Sequence, residues 1–208
     1  MSDDPDTDFT FARQGILFII SAPSGAGKTT LASRLFQAIP DLRPSISYTT
    51  RAPRVGEVDG RDYHFVSEDH FVRMRDAEAF AEWAYVHDFY YGTPRAPVDE
   101  AIAEGRDLLL DIDVQGAKQL KGIYPEAVSL FVLPPSWQAL EQRLRGRGTD
   151  SEAVITRRLH RAREEAHAFP MYDYWIVNDD IDRAVSLLHA ILIAERARVA
   201  RLRTRSIA

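Results

Sequence analysis

Residues 22–29 read Ala-Pro-Ser-Gly-Ala-Gly-Lys-Thr and follow an apolar run at 16–20. They fit the pattern G-x-x-x-x-G-K-[ST], with Ala22 standing at the first glycine position. A strand, a glycine turn and a helix in that order gather backbone N–H groups and a helix N-terminus around one point, and that point attracts anions. Lys28 there can reach the outer phosphates of a nucleotide, and Thr29 puts a hydroxyl where Mg²⁺ would sit. A partner acid is at hand. The apolar run 108–112 carries Asp111 and leads into Asp113, and residues two apart on a strand share a face. Either carboxylate could hold Mg²⁺ or its waters, and either could cap the following turn. A second candidate site lies in 45–65, SISYTTRAPRVGEVDGRDYHF. Arg51 and Arg54 bracket Pro53, which stiffens the backbone between two guanidinium forks suited to a phosphate monoester. Tyr63 and Tyr91 can add phenolic donors to the same phosphate. Taken alone, these arginines read more readily as solvated loop residues. Further on, Gly146 and Gly148 flank Arg147 as at a hinge, with Arg158 on the helical stretch beyond.

Composition narrows the field. The chain has 208 residues, 45% of them apolar, enough for one domain with its own core. A net charge of -5 gives no electrostatic case for binding nucleic acid. Only three of the 26 basic residues are lysines, and one of the three is Lys28. No apolar run is long enough to span a bilayer, and the acidic start with Asp3, Asp4, Asp6 and Asp8 does not read as a signal peptide. The absence of cysteine fits a reducing compartment, so the expectation is a cytoplasmic protein that binds neither membrane nor nucleic acid. The six histidines form no metal-binding pattern.

The elements that must position these residues follow an α/β rhythm. Strands are expected at 16–21, 108–112, 128–133 and 174–177. Helices are expected at 29–39, 94–104, 137–145, 151–168 and 181–203. Alternating strands and helices imply a parallel sheet. Residues 44–93 break the rhythm with short β-like pieces and one helix near 68–77, and read as an excursion on a small, mostly antiparallel sheet. Residues 1–13 read as a loose acidic tail. Residues 14–43 and 94–208 then form the core, and about 134–157 a helical lid within it.

Taken together the blocks resemble the guanylate kinase family. P-S-G-x-G-K-[ST] stands at 23–29 and S-x-S-x-T-T-R-x-P-R-x-G-E-x-x-G-x-x-Y-x-F at 45–65. Glu82-Trp83-Ala84, Tyr90-Tyr91-Gly92-Thr93, L-D-I-D-V-Q-G at 110–116, Arg147-Gly148-Thr149 and Val177-Asn178 follow in order. The resemblance covers about residues 15–195. It implies a three-layer α/β/α phosphate-loop fold with a parallel central sheet, a GMP-binding excursion and a lid. The implied reaction moves the terminal phosphoryl of ATP to GMP, with Mg²⁺ accompanying ATP. By motif, Ala22, Pro23, Ser24, Gly25, Ala26, Gly27, Lys28, Thr29 and Asn178 would bind ATP. Ser47, Arg51, Arg54, Tyr63, Glu82, Tyr91, Thr93 and Asp113 would bind GMP. Thr29 and Asp111 would serve the metal, and Lys28, Arg54, Arg147 and Arg158 catalysis, with Arg143 assisting. A carboxylate at Glu82 can accept both N1–H and N2–H₂ of guanine, whereas adenine would leave it unpaired. The acceptor is already an oxyanion, so no general base is required. Two other readings remain at this level: a binding module of the same fold without turnover, and a phosphate-loop kinase acting on another phosphorylated acceptor.

Overall fold

The computed structural model describes residues 12–86, 88–146 and 151–203. The strands are β1 (Ala12–Arg13), β2 (Leu17–Ser21), β3 (Leu42–Pro44), β4 (Tyr48–Thr49), β5 (His64–Phe65), β6 (Phe80–Val86), β7 (Phe89–Pro94), β8 (Asp107–Asp111), β9 (Val128–Leu133), β10 (Tyr174–Val177) and β11 (Leu202–Arg203). The helices are α1 (Lys28–Ala38), α2 (Glu68–Asp76), α3 (Arg95–Ala103), α4 (Val114–Ile123), α5 (Trp137–Arg145), α6 (Glu152–Ala166) and α7 (Ile181–Arg196). Among the described residues no helix is long and apolar enough to cross a membrane.

Five strands form a parallel sheet in the order β10-β9-β2-β8-β3. The unbroken apolar run of β2 follows from its central place, since successive side chains leave opposite faces and both faces are covered. Phe18 and Ile20 pack with Leu31 and Leu35 of α1 and Leu188 and Leu192 of α7. Leu17 and Ile19 pack the other way, with Val98 of α3 and Leu120 of α4. Full burial of each such side chain stabilises the fold by about 1.5–3 kcal/mol. This is the expected three-layer α/β/α arrangement. The short strands of 44–93 make a second sheet, β5-β4-β7-β6, antiparallel except for the β4–β5 pair. Helices α5 and α6 share a small core of their own, with Leu140 and Leu144 against Ile155 and Ala162.

Several expectations are corrected. The terminal helix ends at Arg196, not 203; a short 3-10 turn at Val199–Arg201 then reverses the chain into β11. The cause is a set of charged anchors: buried Glu195 accepts from Arg201 at 2.9 Å and from Tyr174 at 2.7 Å. Arg196, Arg198 and Arg201 in this segment are therefore partly structural, paired with Asp107 and Glu195. Within the acidic tail, residues 12 and 13 are ordered as β1, antiparallel to β11, because Arg13 forms a two-pronged pair with buried Asp107. Strands β3 and β7 and helix α4 have no counterpart in the sequence reading. Pro44 looked like a terminator, but it closes an edge strand, where proline is tolerated.

Candidate active site

The phosphate loop sits where β2 leaves the sheet. Its two inner alanines, Ala22 and Ala26, belong to the hydrophobic core and fasten it there. Gly27 ends it with φ 97°, a left-handed conformation that favours glycine, and a Cβ at that position would lie 2.4 Å from Asn178 Nδ2. Helix α1 then begins at Lys28 with no side-chain cap and no acidic residue in its first turn, so its leading N–H groups and dipole are left for an anion. Asn178 is only 5% exposed and donates its side-chain amide to the Ala26 carbonyl at 2.7 Å. This bond props the loop from the end of β10. Arg143 does the same, donating to the carbonyls of Asn178 at 2.8 Å and Ala26 at 3.3 Å.

Two cavities open from this loop. One, of about 750 Å³, is lined by Ala22, Pro23, Ser24, Gly25, Gly27, Lys28 and Thr29 together with Arg157, Arg158, Arg161 and Glu165 of α6. Arg158 donates to Ser24 Oγ at 2.8 Å, and Glu165 accepts the Ser24 backbone N–H at 3.2 Å. Arg147 lies outside the described residues. The other cavity, of about 780 Å³, reaches into the 44–93 excursion and is lined by Ser47, Arg51, Arg54, Tyr63, Glu82 and Tyr91. Lys28, Thr29 and Asp113 line both, so the loop and the end of β8 form the wall between them. Lys28 Nζ lies 2.5 Å from Asp111 Oδ1 and donates to the Ile112 carbonyl at 3.0 Å. Thr29 donates its hydroxyl to Asp111 Oδ2 at 3.3 Å. The two carboxylates thus part company. Asp111 faces the lysine and the threonine, while Asp113 caps α4 by accepting the Gly116 N–H at 2.9 Å and still borders both cavities.

At the mouth of the second cavity, Glu57 holds Arg51 in a fork at 2.9 and 3.0 Å and also accepts the Arg54 backbone N–H at 2.7 Å. The pairing holds the Glu57 carboxyl below its usual range and keeps Arg51 charged. The Arg51 guanidinium also lies 5.6 Å from the centre of the Tyr63 ring. Burial, and then the nearby Asp111 charge, push the Tyr63 phenol up. At the inner end lies Glu82, 6% exposed. Thr93, fully buried behind it, donates to Oε1 at 2.6 Å. Thr93 therefore orients the carboxylate that ends the cavity. Ser47 Oγ is 3.5 Å from the Thr93 hydroxyl. Burial, opposed by the Thr93 bond and reinforced by the Asp113 charge, raises the Glu82 carboxyl to about 7.

Two contributors were given no role from the sequence. Glu57 stood in the R-x-P-R-x-G-E block at 51–57 but was not assigned to the site. Glu165 was legible as the i+4 partner of Arg161, 2.9 Å away, but its reach to the loop was not. The prop formed by Asn178 needs the fold itself.

The chain is similar to known proteins in sequence and in fold. The family model described as guanylate kinase matches residues 14–195. The guanylate kinase of Syntrophotalea carbinolica is 55% identical over 192 residues, covering 92% of this chain and 91% of that protein. That of Geobacter sulfurreducens is 53% identical over 190 residues, covering 91% and 94%. The crystal structure of guanylate kinase from Anaplasma phagocytophilum is similar with a TM-score of 0.76 at 33% identity, covering 92% of each chain.

Proposed function

Because the chain belongs to the guanylate kinase family, we propose that this nucleotide kinase transfers the terminal phosphoryl group of ATP to GMP, giving ADP and GDP. One observation carries the choice of acceptor: a buried carboxylate, Glu82, ends a cavity whose mouth holds Arg51. A carboxylate fits the paired N1–H and N2–H₂ donors of guanine, and the arginine fork fits the 5′-phosphate. The loop cavity takes ATP.

The two substrates would then meet across Lys28, with no base needed at an acceptor that is already anionic. Catalysis consists of aligning two polyanions and offsetting their repulsion. Lys28, Arg54 and Arg158 supply fixed positive charge, and Arg147 is assigned the same role on a lid of about residues 134–157. Thr29 and Asp111, a hydroxyl beside a carboxylate, are a donor set suited to Mg²⁺ and would hold it; the ion supplies neutralisation of phosphate charge when bound. Closure of α5 and α6 over the loop would exclude water as a competing acceptor. The reading carries with it a cytoplasmic setting and a place in purine nucleotide recycling.

A coupled assay of ADP formation with GMP, AMP, UMP and CMP in parallel tests it. Turnover is expected with GMP and at least about 10⁴-fold lower kcat/KM with AMP. Equal rates with AMP and GMP would overturn the assignment of Glu82.

A further inference from the structure

Among the described residues strand β6 is the edge of its sheet: one side pairs with β7, and the other has no strand beside it. At Trp83, next to Glu82, that free edge is closed by a side chain. Gln119 of α4 accepts the Trp83 N–H on Oε1 at 3.3 Å and donates Nε2 to the Trp83 carbonyl at 3.1 Å, as a neighbouring strand would. One turn earlier on the same helix face is Gly116. A Cβ there would lie 2.8 Å from Glu82 Oε2 and 3.2 Å from its carboxyl carbon, so only a residue without a side chain lets the helix come this close. Thr93 fixes the other carboxylate oxygen.

From these contacts we infer that the face of α4 carrying Gly116 and Gln119 is a ledge that sets the position of Glu82 and thereby the discrimination for the 2-amino group of the base. The inference rests on the reading of Glu82 as the base-recognising carboxylate. Gln119 touches no substrate; it is a positioning residue that acts through the backbone of Trp83. Gly116 acts by leaving room. Asp113, the cap of the same helix, borders both cavities, so the ledge is anchored at the seam where the substrates would meet.

IMP is the diagnostic acceptor, since it has the phosphate, ribose and N1–H of GMP but no 2-amino group. Steady-state constants for GMP, IMP and ATP should be measured for the wild type, Gln119→Leu, Gln119→Glu and Gly116→Ala, with thermal unfolding of each. Gln119→Leu keeps the bulk and removes both bonds. It is expected to raise KM for GMP about tenfold, roughly the loss of one hydrogen bond, while kcat and KM for ATP stay within about twofold. The preference for GMP over IMP should shrink by a similar factor. Gln119→Glu, which retains the acceptor for the Trp83 N–H, should fall between. Gly116→Ala should move the same ratio; should it fail to fold, Gln119→Leu decides alone. Parallel rises in KM for GMP, IMP and ATP would overturn the ledge and leave a merely structural contact. A wild type that uses GMP and IMP equally would overturn the base reading itself, and the ledge with it.

Discussion

Glu82 is held at a cost. Its folded-state carboxyl titrates near 7 because burial penalises the charge, so the free protein keeps a proton there that the unfolded chain releases at lower pH. The sign follows: this group's contribution to stability falls as pH rises from the ordinary carboxylate range toward 7. On the proposed reading the guanine donors need the ionised form, so nucleotide and proton would compete. The apparent KM for GMP should therefore rise about tenfold per pH unit below 7 while KM for ATP stays nearly level. A flat GMP profile from pH 5.5 to 8 would show that Glu82 is already ionised in the free protein. Lys28, Thr29 and Asp111 were legible in the sequence because their chemistry is local, a short loop and one strand end. The burial of Glu82 and the place of Thr93 behind it were not, since both depend on how β6 and β7 pair.

The phosphate loop is only as firm as what lies beneath it. Its Ala26 carbonyl is held by Asn178, which leaves β10 on the far side of β9 and so couples the loop to the sheet edge. Asn178→Ala should weaken ATP binding by about 1–2 kcal/mol, a KM roughly tenfold higher, with KM for GMP little changed. Isothermal titration with ATP checks it, and unchanged affinity would mean that Arg143 holds the loop unaided. The long amphipathic helices and the continuous apolar strands announced themselves by period. Helix α4 did not, because Gly116 sits in its first turns and reads as a break. Its reason is the close approach to Glu82, which no pattern within 114–123 could reveal. Strand β7 was hidden likewise by Gly92, packed beside Phe71 and Phe80, and by Pro94, which pairs with Phe80 in the sheet.

Across the molecule, both ends of the described chain converge on one buried charge. Asp107 accepts from Arg13 at 2.6 and 2.8 Å, from Arg196 at 2.7 Å and from the Ile16 N–H at 2.9 Å. Asp107→Ala would leave two arginines without their carboxylate, a loss of about 3–5 kcal/mol. A fall in Tm on the order of 10 °C is expected by calorimetry, with kcat unchanged at a temperature where the variant is folded. A Tm within a degree of the wild type would show that the charges gain enough from solvent once released. That anchor stands at the start of β8, whereas the cleft opens at the other end of the same strand, beyond Asp111. A tether attached through β1 or β11 would therefore orient the molecule with its substrate mouth turned toward bulk solution, and mechanical load on either terminus would unzip two short strands before any pull reached the nucleotides.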